Sequence, residues 1–90
     1  MARIKYFEEE CIAVYIYGER YGKHHEKHLL VMKADENCEY GFDGQPLSCS
    51  AALKNKRDRE VLASWILLNR EKLEKAWDDI NNGINPGYID

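Results

Sequence analysis

The alternation of apolar and polar residues in the first half of the chain predicts β-strands. Residues on either side of Val14 alternate with a period of two, so that Ile12, Val14 and Ile16 share one face of a strand. The opposite face of this strand is also apolar, which indicates a central strand covered at least partly on both sides. A short extended piece near Pro46 is expected to add pairing at an edge. The strands predicted in this way are 3–7, 11–17, 28–33 and 38–42.

The pattern becomes helical in the second half of the chain. From about Arg57 to Asn82 no Gly or Pro occurs, and apolar residues recur at helical spacing. Gly83 follows and occupies a favoured helix-stop position. The sequence therefore predicts one long helix over about 56–82, followed by a short C-terminal tail at 83–90. The residues of its apolar stripe are Val61, Leu62, Trp65, Ile66, Leu68, Leu73, Ala76, Trp77 and Ile80.

Strands followed by a helix predict an α+β fold, with a small antiparallel sheet of three to five strands packed against one long C-terminal helix. The strands are expected within residues 2–49. We expect residues 1–90 to form a single domain, because a chain of 90 residues has room for one hydrophobic core.

Two residues depart from the helical pattern. Asn69 lies at the centre of the apolar stripe between Ile66 and Leu73, where a buried amide needs hydrogen-bond partners. It either bonds inward within a continuous helix, which the unbroken phase of the stripe favours, or caps a second helix that begins near Arg70. Leu67 lies on the polar face, which indicates either a contact with a partner or an ordinary exposed leucine.

Composition and charge narrow the class of protein. Apolar residues make up 44% of the chain and aromatic residues 11%, as is typical of a folded globule. No segment has the roughly 18 consecutive apolar residues of a membrane span, so we expect no membrane interaction. The net charge of −3 gives no overall attraction to nucleic acid. The three cysteines lack the paired spacing of a zinc site, and together with the polar N-terminal residues they predict a cytoplasmic protein without a bound metal.

Chemistry-bearing residues are concentrated in the loop before the third strand. The loop contains all three histidines, and His25 with Glu26 suits an acid–base pair because imidazole titrates near neutral pH. The alternatives are a solvated basic loop and a contact with a partner or nucleic acid, since basic and aromatic side chains together stack bases and contact phosphates. The candidate catalytic residues are His28, His25, Glu26 and Asn69. The candidate binding residues are Arg20, Tyr21, Lys23, His24, Lys27 and Leu67.

The chain resembles the bacterial family called domain of unknown function 4160, and the resemblance covers nearly its whole length. The family pattern has two histidines near the start of the third strand and one in the helix. This sequence has the first at His28, whereas Leu30 and Asn69 stand where the other two fall. The segments that carry the resemblance are 2–4, 12–17, the histidine loop, Trp65, 68–73 and Trp77.

The resemblance implies a cytoplasmic bacterial protein, the toxin-like member of a two-gene toxin–antitoxin-type pair. Its partner would be a small protein encoded nearby, of the type called domain of unknown function 2442. We therefore expect a binding protein that docks this partner through a sheet edge, the histidine loop or the helix end. The alternatives are a His-dependent nuclease-like enzyme and a small nucleic-acid-binding module. No nucleotide-binding or hydrolase motif occurs in the sequence, so no cofactor is predicted.

Overall fold

The computed structural model, which describes residues 2–18, 27–48 and 50–89, contains a four-stranded sheet and two helices. The strands follow one another across the sheet in chain order, each antiparallel to its neighbour. The predicted α+β class with a small antiparallel sheet is confirmed. Neither described helix is long and apolar enough to cross a bilayer. The elements are β1 Ala2–Phe7, β2 Ile12–Ile16, β3 His28–Lys33, β4 Glu36–Gly41, α1 Lys56–Leu68 and α2 Arg70–Asn81.

The prediction of one long C-terminal helix is wrong, because the helical segment is interrupted at Asn69. The Asn69 backbone has φ −108° and ψ 20°, which is outside the α region. Its N–H still donates to the Trp65 carbonyl at 3.0 Å, and its side-chain Nδ2 donates to the same carbonyl at 3.0 Å. Back-bonding of this kind bends helices. Asn69 is thus bonded inward and also marks the break, while its side chain does not cap α2.

One face of the sheet packs against the helices and forms the hydrophobic core. At the end of β1, Phe7 contacts Trp65 of α1 edge to face, with 5.6 Å between the ring centroids. The predicted apolar stripe is therefore buried in the main, but Leu68 is an exception because 85% of it is exposed at the end of α1. The fully buried core residues include Ile4, Ile12, Val14, Ile16, Leu29 and Val31 from the sheet and Leu62, Ile66 and Leu73 from the helices.

Other segments occupy the free edges of the sheet. Beside β4, the Leu47 N–H donates to the Glu39 carbonyl at 2.9 Å, and the Glu39 N–H donates to Ser50 Oγ at 2.8 Å. Beside β1, the Ile89 N–H of the C-terminal tail donates to the Ile4 carbonyl at 2.7 Å. A partner strand would have to displace these segments before it paired with Glu39 or Ile4.

Asp58 fixes the start of α1 against the sheet. The Asp58 N–H donates to Asn55 Oδ1 at 3.1 Å, which is the usual N-cap arrangement. The buried Asp58 carboxylate forms an ion pair with Lys33 at the end of β3, and a negative charge in the first turn also suits the helix dipole. The hydrogen bond to Asp58 raises the pKa of Lys33 above its usual value of 10.5.

We expect the protein to lose stability in two stages at alkaline pH. Burial raises the pKa of the Cys38 thiol above 9.0, and the bond to Asp58 raises the pKa of Lys33 above 10.5. A group with a raised pKa contributes stability below its unfolded value and loses that contribution as the pH rises through its folded value. The free energy of unfolding should therefore fall first above pH 9.0 and again above pH 10.5.

Denaturant titrations at a series of pH values measure this free energy. The Cys38→Ala variant should lose the first stage and keep the second. A free energy of unfolding that stays constant from neutral pH to about pH 11 would contradict the expectation.

Candidate functional site

Most of the predicted loop site lies outside the described residues. The candidates that the structure places lie at the start of β3 and at the junction of the two helices. The predicted residues outside the described ranges are Arg20, Tyr21, Lys23, His24, His25 and Glu26. Those that the structure places are Lys27, His28, Leu67 and Asn69.

His28, the first residue of β3, is fully buried in an aromatic cluster. Its Nε2 lies 2.7 Å from the Tyr17 hydroxyl oxygen, and the two rings meet edge to face. The imidazole also contacts Trp77 of α2, with 5.7 Å between centroids, and Trp77 in turn contacts Phe42 at 6.2 Å. His28 therefore joins β2 and β3 to α2, and a substrate would reach its ring only after this cluster opened.

Lys27 lies just before β3 and forms an ion pair with Glu74 of α2. The hydrogen bond to Glu74 raises the pKa of Lys27 above its usual value. Both side chains are partly exposed, and pairs of this kind contribute at most about 1 kcal/mol. A partner that binds Lys27 must therefore compete with Glu74, but the competition is weak.

A cleft of about 560 Å³, which we call the α2 cleft, opens between the start of α2 and the segment that follows β4. Cationic and anionic groups are mixed along its walls, and the apolar side chains of Phe42 and Leu47 are buried beneath. A lining of both signs suits the polar groups of a polypeptide better than the repeated negative charge of nucleic acid. The charged residues of the cleft are Lys27, Asp43, Arg70 and Glu74.

Two adjacent leucines lie on the surface at the break between the helices. Leu67 and Leu68, which we call the leucine pair, are 55% and 85% exposed. They border a hollow of about 520 Å³ that shares Arg70 and Glu74 with the α2 cleft. Asn69 lies directly after the pair, with 6% of its surface exposed, and holds the break in place. The structure thus places an apolar projection beside a charged cleft.

The helical pattern of the sequence predicts Leu67 on the surface and Leu68 in the core. The prediction for Leu68 is wrong, because α1 ends at this residue and 85% of it is exposed. The amide at the centre of the stripe indicates the alternative of a second helix that begins near Arg70, because Ser, Thr, Asn and Asp compete with the helical backbone for hydrogen bonds. The second helix is confirmed, but the Asn69 side chain does not cap it. Arg70 and Glu74 carried no sequence signal of their own.

The described contacts of His28 and Asn69 involve different residues. The Asn69 amide donates to the Trp65 carbonyl within the helical segment, and His28 contacts Tyr17 and Trp77. Among the residues that the structure describes, no three His, Cys, Asp or Glu side chains form a group that could hold a metal ion. The catalytic hypothesis therefore stays a prediction.

The buried contact between Tyr17 and His28 predicts a measurable effect on stability. The Tyr17→Phe variant removes the hydroxyl group and should lower the free energy of unfolding by about 1 kcal/mol, because a buried polar group loses a partner. The matched variant Tyr6→Phe removes a hydroxyl from a residue that is 40% exposed, and should change stability by less than about 0.5 kcal/mol. Equal effects of the two substitutions in denaturant titrations would contradict the structural role of this contact.

Comparisons of the chain with family models, with curated proteins and with solved structures found no match. The resemblance to the domain of unknown function 4160 family therefore stays a prediction.

Proposed function

We propose that this chain is a protein-binding module that docks a small partner protein at the junction of α1 and α2. The observation that carries the proposal is the exposure of the leucine pair, at 55% and 85%, beside the α2 cleft. Two neighbouring exposed leucines flanked by charged groups have the composition of an interface centre with a polar rim. The leucine pair would supply the apolar contact, and Arg70 and Glu74 would orient the partner.

The other docking routes suggested by the sequence have less support. The tail and the segment beside β4 already bond to the outer strands, so pairing at a sheet edge requires their displacement. Of the histidine loop, the structure describes only Lys27 and His28, and His28 is buried. The helix end is the route that needs no rearrangement of the described residues.

The resemblance to the domain of unknown function 4160 family supplies the identity that we propose for the partner. The chain would be the toxin-like component of a cytoplasmic bacterial toxin–antitoxin-type pair. Its partner would be the small protein encoded nearby, of the type called domain of unknown function 2442. The partner would present an apolar side chain to the leucine pair and groups of both charge signs to the α2 cleft, because the cleft offers both signs in return.

The enzyme and nucleic-acid alternatives lack a specific observation in their favour. A nuclease that uses His28 needs an accessible imidazole, whereas this ring is fully buried. A nucleic-acid site needs a surface with excess positive charge, and the α2 cleft pairs Lys27 with Glu74. Binding of nucleic acid that weakened steeply with added salt would favour the nucleic-acid alternative over ours.

Substitution of the leucine pair tests the proposal. The double variant Leu67→Asp, Leu68→Asp should reduce copurification with the coexpressed neighbouring protein at least tenfold, because the interface loses two apolar contacts and gains two buried charges. Ile84→Asp is a matched control, since Ile84 is 54% exposed but lies in the C-terminal tail, and it should leave the complex intact.

Both variants should unfold at nearly the wild-type denaturant concentration, because the substituted side chains are exposed. Two separate monomers of the wild-type proteins on size exclusion would overturn the proposal for this partner. An intact complex with the double variant would overturn the proposed docking surface.

A further inference from the structure

The second face of the sheet, opposite the hydrophobic core, carries two regular rows of side chains. The register pairs Arg3 with Tyr15, Tyr15 with Leu30, and Leu30 with Glu39, so these four residues cross the sheet from β1 to β4. We call this face the outer face. Its second row, paired in the same way, consists of Tyr6, Ala13, Met32 and Asn37.

The outer face has an apolar centre and a polar rim. A solvated face of an antiparallel sheet normally carries polar residues at its outward positions. Here the positions that the two rows occupy on the central strands are all apolar and half-buried, and within the described part of the chain they are not members of the hydrophobic core. His28 alternates onto the same face at the end of β3, where it is buried beside Tyr17 and Trp77. An apolar centre with polar residues around it is the usual anatomy of a protein interface. The central residues are Ala13, Tyr15, Leu30 and Met32.

The two ends of the first row carry opposite charges. Arg3 lies on β1, where its guanidinium stacks 5.4 Å from the Tyr6 ring centroid and donates a hydrogen bond to the Tyr88 hydroxyl. Glu39 lies on β4, and neither side chain is in an ion pair among the described residues. Three strand spacings of about 4.8 Å separate them, roughly 14 Å, so they cannot neutralise each other within one chain.

We propose that the outer face binds the outer face of a second copy of this chain, related to the first by a two-fold axis parallel to the strands. This axis places β1 of one copy over β4 of the other, as in the aligned packing of two sheets. Arg3 then faces Glu39 of the other copy, and the reverse contact forms at the opposite edge.

The same axis matches large side chains with small ones. Tyr6 lies over Asn37 of the second copy, and Met32 lies over Ala13. Tyr15 and Leu30 face each other at the centre of the interface. The outer face is therefore complementary to itself in both charge and size, as a two-fold interface must be.

The size of the face determines how tightly the copies associate. Four strands at about 4.8 Å spacing span about 19 Å, so each copy buries only a few hundred Å², less than the roughly 800 Å² per partner of a standard interface. We therefore expect a weak dimer. In equilibrium sedimentation the average mass should rise with concentration from that of the monomer towards twice that value.

Charge reversal distinguishes this two-fold geometry from nonspecific association. Arg3→Glu and Glu39→Arg should each weaken the dimer about tenfold, because each places two pairs of like charges across the two-fold axis. The double variant Arg3→Glu, Glu39→Arg should restore the wild-type dissociation constant to within about threefold, since opposite charges again meet between copies. Arg57→Glu reverses an exposed charge on α1 and should have no effect.

Leu30→Lys, which places a charge at the centre of the face, should abolish association, and its circular dichroism and unfolding midpoint would show whether it folds. A chain that stays monomeric at about millimolar concentration would overturn the proposal, as would a double charge reversal that fails to restore the dimer. If the outer face binds another protein or a nucleic acid instead, the chain alone should stay monomeric. The leucine-pair double variant should dimerise normally, so failure here is distinguishable from failure of the proposed partner docking.

Discussion

The hydrogen bonding at Asn69 is the constraint on which the rest of the structure depends. The Trp65 carbonyl accepts both from the Asn69 backbone and from its side chain, and the helical segment breaks there. A straight helix over 56–82 would be about 40 Å long. The greatest extent of the molecule is 34 Å, so an unbroken helix would project beyond the sheet and leave apolar side chains in water. The break allows both α1 and α2 to stay over the sheet.

Each half of the broken helix then has its own side-chain contact with the sheet. Asp58 ties the start of α1 to Lys33 at one end of the strands, and His28 contacts Trp77 of α2 at the other end. The buried side of α1 contains a hydrogen-bond donor without an acceptor. The Trp65 Nε1 has no hydrogen-bond partner among the described residues. Such a donor costs about 1–3 kcal/mol, which the burial of the indole and its contact with Phe7 must offset. The exposure of Leu68 accompanies the end of α1 at the break, whereas Leu67 lies on the polar face of the helix.

The sequence predicted the elements of this fold better than their arrangement. The period-two pattern around Val14 and the helical stripe identified strands and helical residues, because both patterns reflect burial on one face. The stripe stays in phase across Asn69, and for that reason it could not reveal the break. The rows of the outer face depend on which residues pair between neighbouring strands. This pairing is set by the irregularity between Arg3 and Lys5 and by the turn at Ala34, where φ is 49°. A pattern along one strand does not contain that information, although it did show that both faces of β2 are apolar.

The two surfaces proposed here lie on opposite layers of the molecule. The outer face belongs to the sheet, and the leucine pair belongs to the helical layer on the other side. Association of two copies through their sheets would leave both leucine pairs directed away from the two-fold axis. A weak dimer would thus carry two partner sites, and a partner that itself presents two binding surfaces would gain from the raised effective concentration at the second site. Because the outer face is small, the proposed dimer would be weak. The number of paired partner sites would therefore rise with the local concentration of the chain.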